Sequence, residues 1–496
     1  MGNEFWLDDR LARREDAEYI QTFLGNRIAE RHAVGLPASY VLNINAPWGT
    51  GKTFFLKRFA QQLREANHLV AEVNAWSTDH ADDPLLAVMA AIEDAAGPLL
   101  TRSKAAKLKA TINNMKRNAG GIAMAAVKGA LIQGAKKAIG GAVDEVSDII
   151  GGSTTGGAET ETTALAEAAM SGAVERAMTT LETLLDQTAA EQVSLFRKAQ
   201  ASIASFKSDL ATLTKILSER EMSPTLYVLI DELDRCRPTY AISLLERAKH
   251  LFEVDNIVVV VATDTAQLAN SIKAVYGSEF DSRRYLGRFF DRTYEFDEPE
   301  LAEFIQELLI RQPINEEMIS VPPEQSLHST MVATFATFRT TPRDIQRCCD
   351  LVRTVATTWS STARIEITAM LPVMVAYQTG TPIDWSGEPM RNFMENFEFG
   401  GPPLTWRHRV EMSFETKTAE VGVVELYNQW RDYRSTPLSE ISGRQASAPA
   451  NEWVISRLSD EFRLVHNNGY SLGKAVPISI VNQYPSIILK AGRFSA

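Results

Sequence analysis

The stretch Ala46-Pro47-Trp48-Gly49-Thr50-Gly51-Lys52-Thr53 decides the reading of this chain. Ahead of it, Tyr40-Val41-Leu42-Asn43-Ile44 alternates as a short strand does, and behind it Phe55, Phe59 and Leu63 recur at helical spacing. A glycine-bearing turn between strand and helix is the setting of a phosphate-binding loop. Glycines let the backbone close around phosphate oxygens, and the positive end of the helix dipole faces the anion. In such a loop Lys52 reaches the β- and γ-phosphates, Thr53 ligates magnesium, and Pro47, Trp48, Gly49, Thr50 and Gly51 complete the cradle. Ala46 stands where the usual pattern has its first glycine.

A second stretch supplies the matching acids. Leu226-Tyr227-Val228-Leu229-Ile230 is a nearly continuous apolar run, as a buried parallel strand requires, and Asp231-Glu232-Leu233-Asp234-Arg235 follows it. A carboxylate at the tip of such a strand lies beside the phosphate crevice. Asp231 suits the second magnesium contact, Glu232 suits polarising the attacking water, and Asp234 can share that task. The competing reading is a solvated acidic turn. The next buried strand, Ile257 to Ala262, ends in Thr263-Asp264. Either residue is placed to sense a γ-phosphate, unless Asp264 or Thr265 simply caps the following helix. Transition-state charge needs a cation, and Arg283, Arg284, Arg288, Arg292 and Arg343 are available, although most arginines are surface residues. The guanine-reading pattern Asn/Thr-Lys-x-Asp is missing, which favours ATP.

Buried strands alternating with helices predict an α/β fold with a parallel sheet. Residues 1–100 read as an N-terminal helix over 8–33 and the first half of the nucleotide-binding core, and residues 223–299 as its second half. Residues 300–376 read as a helical lid and 377–496 as a small C-terminal domain whose Trp385, Trp406, Trp430 and Trp453 either anchor its own core or line a partner surface. Trp48 and Trp76 read as packing residues, Trp76 in the core. Between the two halves lies a helical insertion, 101–222. Its residues 101–143 hold nine Lys or Arg and no acid, so they suit an anionic lipid or nucleic-acid surface, or else a helical hairpin packed on the core. Gly121, Ala125 and Gly129 form a small-residue stripe, and 151–157 is a glycine-rich linker. The lack of any aromatic residue from 101 to 195 argues against base stacking there.

Composition narrows the classes. The net charge of −11 disfavours an overall polyanion binder, and the three cysteines, Cys236, Cys348 and Cys349, carry neither a disulfide nor a metal spacing, so a reducing cytoplasm is expected. The start of the chain lacks a signal core, and Arg117, Lys128, Lys136 and Lys137 break every apolar run of the insertion, so no bilayer crossing is expected.

The chain resembles the KAP family of P-loop NTPases. Pro47-Trp48-Gly49-Thr50-Gly51-Lys52-Thr53, Asn74-Ala75-Trp76, Ile230-Asp231-Glu232-Leu233-Asp234-Arg235-Cys236, and Tyr285-Leu286-Gly287-Arg288 with Thr341-Pro342-Arg343-Asp344-Ile345 carry the likeness, over roughly residues 8–355 without the insertion. It departs at Ala46, at Glu232 where Asp is usual, and at Arg288 where Lys is common. The resemblance implies an ATP- and magnesium-dependent ATPase of the additional-strand class, with Arg288 and Arg343 as the preferred catalytic cations. It also implies a bacterial switch or assembly ATPase, acting in antiphage defence as a homo-oligomer or with partner proteins. Two other classes remain beside the enzyme: a scaffold that binds nucleotide without turnover, and an adaptor that uses the basic insertion.

Overall fold

The computed structural model describes residues 4–81, 83–100, 105–122, 193–194, 197–398, 400–409, 416–446, 448–467 and 477–493. The linker at 151–157 and most of the small-residue stripe lie outside these residues. The chain forms two compact units. One comprises Met1–Leu7, Glu15–Ala46 and Lys52–Phe296; the other comprises Asp8–Arg14, Pro47–Gly51 and Asp297–Ala496.

The first unit is built on five parallel strands: β1 (Ser39–Asn45), β2 (Leu69–Asn74), β3 (Leu226–Asp231), β4 (Ile257–Thr263) and β5 (Arg292–Glu295). Their order is β2-β3-β4-β1-β5. Strand β4 thus separates the strand that enters the phosphate loop from the strand that ends in the acids, the arrangement of an additional-strand α/β core. Alternation along each strand sorts side chains to two faces. Tyr40, Leu42, Ile44, Tyr227, Leu229, Val258 and Val260 pack with Ile20 and Leu24 of α1 (Arg13–Ala33) and Phe55, Phe59 and Leu63 of α2 (Lys52–Glu65).

The alternate set, including Val41, Val228, Ile230, Val259 and Val261, shares a core with the helices of the other face. Of these, α3 (Ala75–Thr78) and α4 (Pro84–Leu100) follow β2. Two helices of the insertion, α5 (106–122) and α6 (197–219), add Leu108, Ile112, Met115, Phe206, Leu210 and Leu213 to that core. After β3 come α7 (Pro238–Leu251), α8 (Thr265–Tyr276) and α9 (Ser282–Leu286). Within α5, Lys107 pairs with Glu219 at 3.0 Å and Lys116 with Glu93 at 2.9 Å. The described part of the basic run, α5, packs on the core with part of its charge met by Glu219 and Glu93. Among the described residues no helix is long and apolar enough to cross a membrane.

The second unit is mainly helical: α10 (Leu301–Arg311), α11 (Leu327–Thr337), α12 (Pro342–Thr357), α13 (Ile367–Gln378), α14 (Glu388–Glu395), α15 (Val423–Tyr433), α16 (Leu438–Ile441), α17 (Pro449–Asn467) and α18 (Tyr484–Ala491). Strands β6 (Ile319–Ser320) and β7 (Ile365–Glu366) pair in parallel, and β8 (Leu404–Arg409) and β9 (Thr416–Val421) pair antiparallel. Its core runs without a break from Leu301 to Ala491. The boundary expected near residue 376 is therefore replaced by a continuous core. The reason is α13, whose residues Ile367 to Ala376 are all buried; a helix apolar all round must be enclosed on every side. Trp385, Trp406 and Trp430 do anchor a core, but one shared with α13: the Trp430 indole N–H donates to Thr368 Oγ1 at 2.9 Å.

Each unit carries one telling buried polar group. In the sheet, Asn43 is fully buried at the middle of β1. Its Oδ1 accepts from Thr263 Oγ1 at 2.8 Å, and its Nδ2 donates to Thr265 Oγ1 at 3.0 Å and Thr293 Oγ1 at 3.4 Å. Replacing it by Leu orphans several hydroxyls, so Asn43→Leu should lower the unfolding free energy by on the order of 3 kcal/mol, read as a fall in urea midpoint. In the second unit, Glu366 is only 6 % exposed and bonds Arg457 Nε at 3.1 Å. Burial pushes its carboxyl up to about 7, against the pull of Arg457. The folded state thus favours the protonated form: the stability this gives is present below the ordinary value of 4.5 and is lost as pH rises toward about 7. Glu366→Gln should abolish that part of the decline, on the order of 3 kcal/mol, in melts taken from pH 4.5 to 8.

Candidate nucleotide site

In the first unit the phosphate-loop strand delivers Ala46 to the tip of β4, where its N–H donates to the Thr263 carbonyl at 3.1 Å. The chain re-enters that unit at Lys52, the first residue of α2. Gly49 and Gly51 between them have φ of +89° and +93°, the left-handed region that favours glycine, so these two positions let the loop curl.

Lys52 is 9 % exposed, and its Nζ donates to the Ala46 carbonyl at 2.5 Å. Burial lowers its pKa, while Asp234, Asp264 and Asp231, in that order, oppose the shift. The ammonium is thus largely shielded from solvent, with its charge favoured by acids that end or follow β3 and β4. One step along α2, the Thr53 hydroxyl hydrogen-bonds the Asp231 carboxylate. Burial raises the Asp231 carboxyl against that bond. Hydroxyl and carboxylate oxygens from elements on either side of β4 are the donor types a small hard cation takes. The sequence-predicted Lys52, Thr53, Asp231 and Asp234 are therefore brought together.

Glu232 is held in a different way. Its backbone is left-handed, with φ of 59° and ψ of 28°, and its N–H donates to Asp231 Oδ1 at 2.8 Å. The Glu232 carboxylate accepts from Asn74 Nδ2 at 2.8 Å and pairs with Arg235 at 2.8 Å. Asn74 ends β2, in register with Asp231, and its Oδ1 caps α3 by accepting from Ser77 N at 2.9 Å. The motif reading quoted Asn74 but gave it no role; an amide at a strand tip next to an acidic tip was the available signal. Trp76 corrects the core expectation, for it is 54 % exposed with the Arg235 guanidinium 5.5 Å above its ring. The single turn of α3 buries Ala75 and rotates the indole outward.

Thr263 is fully buried with its hydroxyl given to Asn43, and the Asp264 carboxylate caps α8 by accepting from Gln267 N at 3.2 Å. Both residues named as sensors at the β4 tip thus have structural partners, Thr263 without access to solvent. Arg288, just after α9, is exposed. Within the second unit, Arg343 lies on the first turn of α12 and its N–H donates to the Gly49 carbonyl at 3.2 Å. A Cβ on Gly49 would stand 2.7 Å from Arg343 Cβ and 2.9 Å from Thr341 Oγ1, so only glycine fits that approach. Thr50 Oγ1 donates to the Pro47 carbonyl at 2.8 Å, and Trp48 is 45 % exposed.

In the first unit, a buried lysine on the Ala46 carbonyl with Thr53 and Asp231 beside it fits a triphosphate and its metal. No curated protein matched the chain. A family model described as the KAP family P-loop domain matches residues 26–358, more than half of the chain. The match spans both halves of the parallel sheet and the first turns of the helical unit through α12, and with the site geometry it leads to one statement: the chain belongs to the KAP family of P-loop NTPases.

Proposed function

We propose that this protein is a magnesium-dependent ATPase that works as a nucleotide-driven switch within an assembly of its own copies or with partner proteins. One observation carries the reading: the Thr53 hydroxyl and the Asp231 carboxylate meet beside a buried Lys52. Lys52 exchanges its Ala46 carbonyl for phosphate oxygens, which relieves the desolvation that now lowers its pKa. Magnesium, held by Thr53 and Asp231, would neutralise the charge that builds on the phosphates. The amides of Gly49 to Lys52 orient the triphosphate tail, and Glu232 orients the attacking water and takes its proton. Asp234 holds Lys52 from the acidic side. Arg288, which is exposed, is the cation proposed for a neighbouring copy; Arg343, whose backbone N–H donates to the Gly49 carbonyl, is the second proposed cation. A cytoplasmic setting fits three free, buried cysteines.

Phosphate release and nucleotide binding test this together. Lys52→Ala should lose ATP binding. Glu232→Gln should bind ATP as the parent does yet release phosphate about 100-fold more slowly or less. Phosphate release unchanged in both variants would reject the enzyme. Tight binding without turnover in the unmodified protein would favour a scaffold.

A further inference from the structure

The second unit buries two carboxyl groups around a single guanidinium. Glu366, the last residue of β7, is 6 % exposed, and Glu461, on α17, is 9 % exposed. The cation that faces them is Arg457, one turn before Glu461, whose Nε pairs with Glu366 Oε1 at 3.1 Å. That charge is shared. Arg457 Nη1 bonds Asp460 Oδ2 at 2.8 Å, and the guanidinium lies over the Trp453 ring at 5.6 Å. Asp460 also pairs with Arg463 at 3.1 Å, out toward solvent.

The two buried acids are held differently. Glu461 has both oxygens satisfied: Oε2 accepts from Ser479 Oγ at 2.6 Å and Oε1 from Ile480 N at 2.8 Å, in the segment that leads into α18. Donors of that kind favour the charged form. Glu366 has Arg457 on Oε1, whereas its Oε2 meets no partner in hydrogen-bond geometry among the described residues. A charged oxygen buried in that state is costly, and a proton on it removes the cost. The other groups that face Glu366 are the Ser320 hydroxyl of β6 and the Tyr484 hydroxyl of α18, which accepts from Glu366 N at 2.8 Å. Burial raises the Glu366 carboxyl and Glu461 adds to the rise, against Arg457 and Ser320. Strand β7 thus carries the acid, α17 supplies both its cation and its rival, and the chain entering α18 is tied to the same cluster through Ser479, Ile480 and Tyr484.

We propose that Glu366 is a proton-binding site that clasps α17 and α18 to the β6–β7 pair. With the proton bound, one buried carboxylate is left for Arg457 to answer. When the proton leaves to solvent, a second carboxylate stands against Glu461 and the clasp opens. The sign is fixed by two values: the Glu366 carboxyl is held up to about 7 while buried and returns to its ordinary 4.5 once released. Between them each opening frees one proton, so opening grows about tenfold per pH unit; above about 7 both forms are ionised and it levels off.

Hydrogen–deuterium exchange of the full chain from pH 5 to 8, each rate divided by the intrinsic rate at that pH, tests the clasp. In the parent, amides of α18 should lose protection about tenfold per pH unit up to about 7 and then hold steady. They should also be less protected than those of α11 in the same core, the mark of a local opening. Glu366→Gln keeps an oxygen for Arg457 Nε and should make α18 protection independent of pH. Glu461→Gln removes the opposing charge from a different element and should bring the levelling point below that of the parent, so it stands if the first variant folds poorly. A flat profile in the parent, or a slope unchanged in folded Glu366→Gln, would overturn the clasp. Equal protection of α18 and α11 at every pH would overturn it too, since the proton would then act only on unfolding of the whole unit.

Discussion

The site depends on a meeting across one strand. Thr53 belongs to the helix after β1 and Asp231 to the tip of β3, and β4 lies between those strands. Their contact exists because β4 is buried along its whole length from Ile257 to Thr263 and pairs with both neighbours in matched register. Asn43 secures the same corner from within, tying β1 to Thr263, Thr265 and Thr293. A slip of one residue in β4 would turn every side chain to the opposite face and part the two oxygens.

Electrostatics at the site is a balance of two costs. Burying Lys52 disfavours its charge, which Asp234, Asp264 and Asp231 oppose, and burying Asp231 disfavours the opposite charge, which its bond from Thr53 opposes. A pocket in that condition gains when an anion and a cation arrive together, since the triphosphate answers the lysine and the metal answers the acids. The same local chemistry makes Glu232 an exception among the acids, because its charge is already answered by Arg235 in the turn that follows β3.

Much of this was legible in the sequence, for reasons that are local. Continuous apolar runs at 226–230 and 257–262 could only be buried strands, and glycines flanking Thr50 before Lys52-Thr53 demanded a curled loop. What escaped was decided by tertiary packing. Trp76 read as core because an aromatic after a strand usually is, but Asn74 caps a single helical turn that throws it outward. Thr263 read as a sensor because it ends β4; the partner that occupies its hydroxyl, Asn43, lies 220 residues away in the chain. The boundary expected at residue 376 gives way because α13 is buried on every side and so shares one core with the helices that follow it. The Asn74 partner of the Glu232 carboxylate lies 158 positions earlier, and no spacing rule connects them.

The most direct test of the central claim is electron paramagnetic resonance of Mn2+ used in place of magnesium. Free Mn2+ gives a strong signal that disappears on binding. The account predicts that the protein takes up Mn2+ with ATP, and that Thr53→Ala and Asp231→Asn each weaken the uptake while leaving the fold intact. Uptake equal to the parent's in both variants would contradict it, for the metal would then be held without the two oxygens that meet across β4.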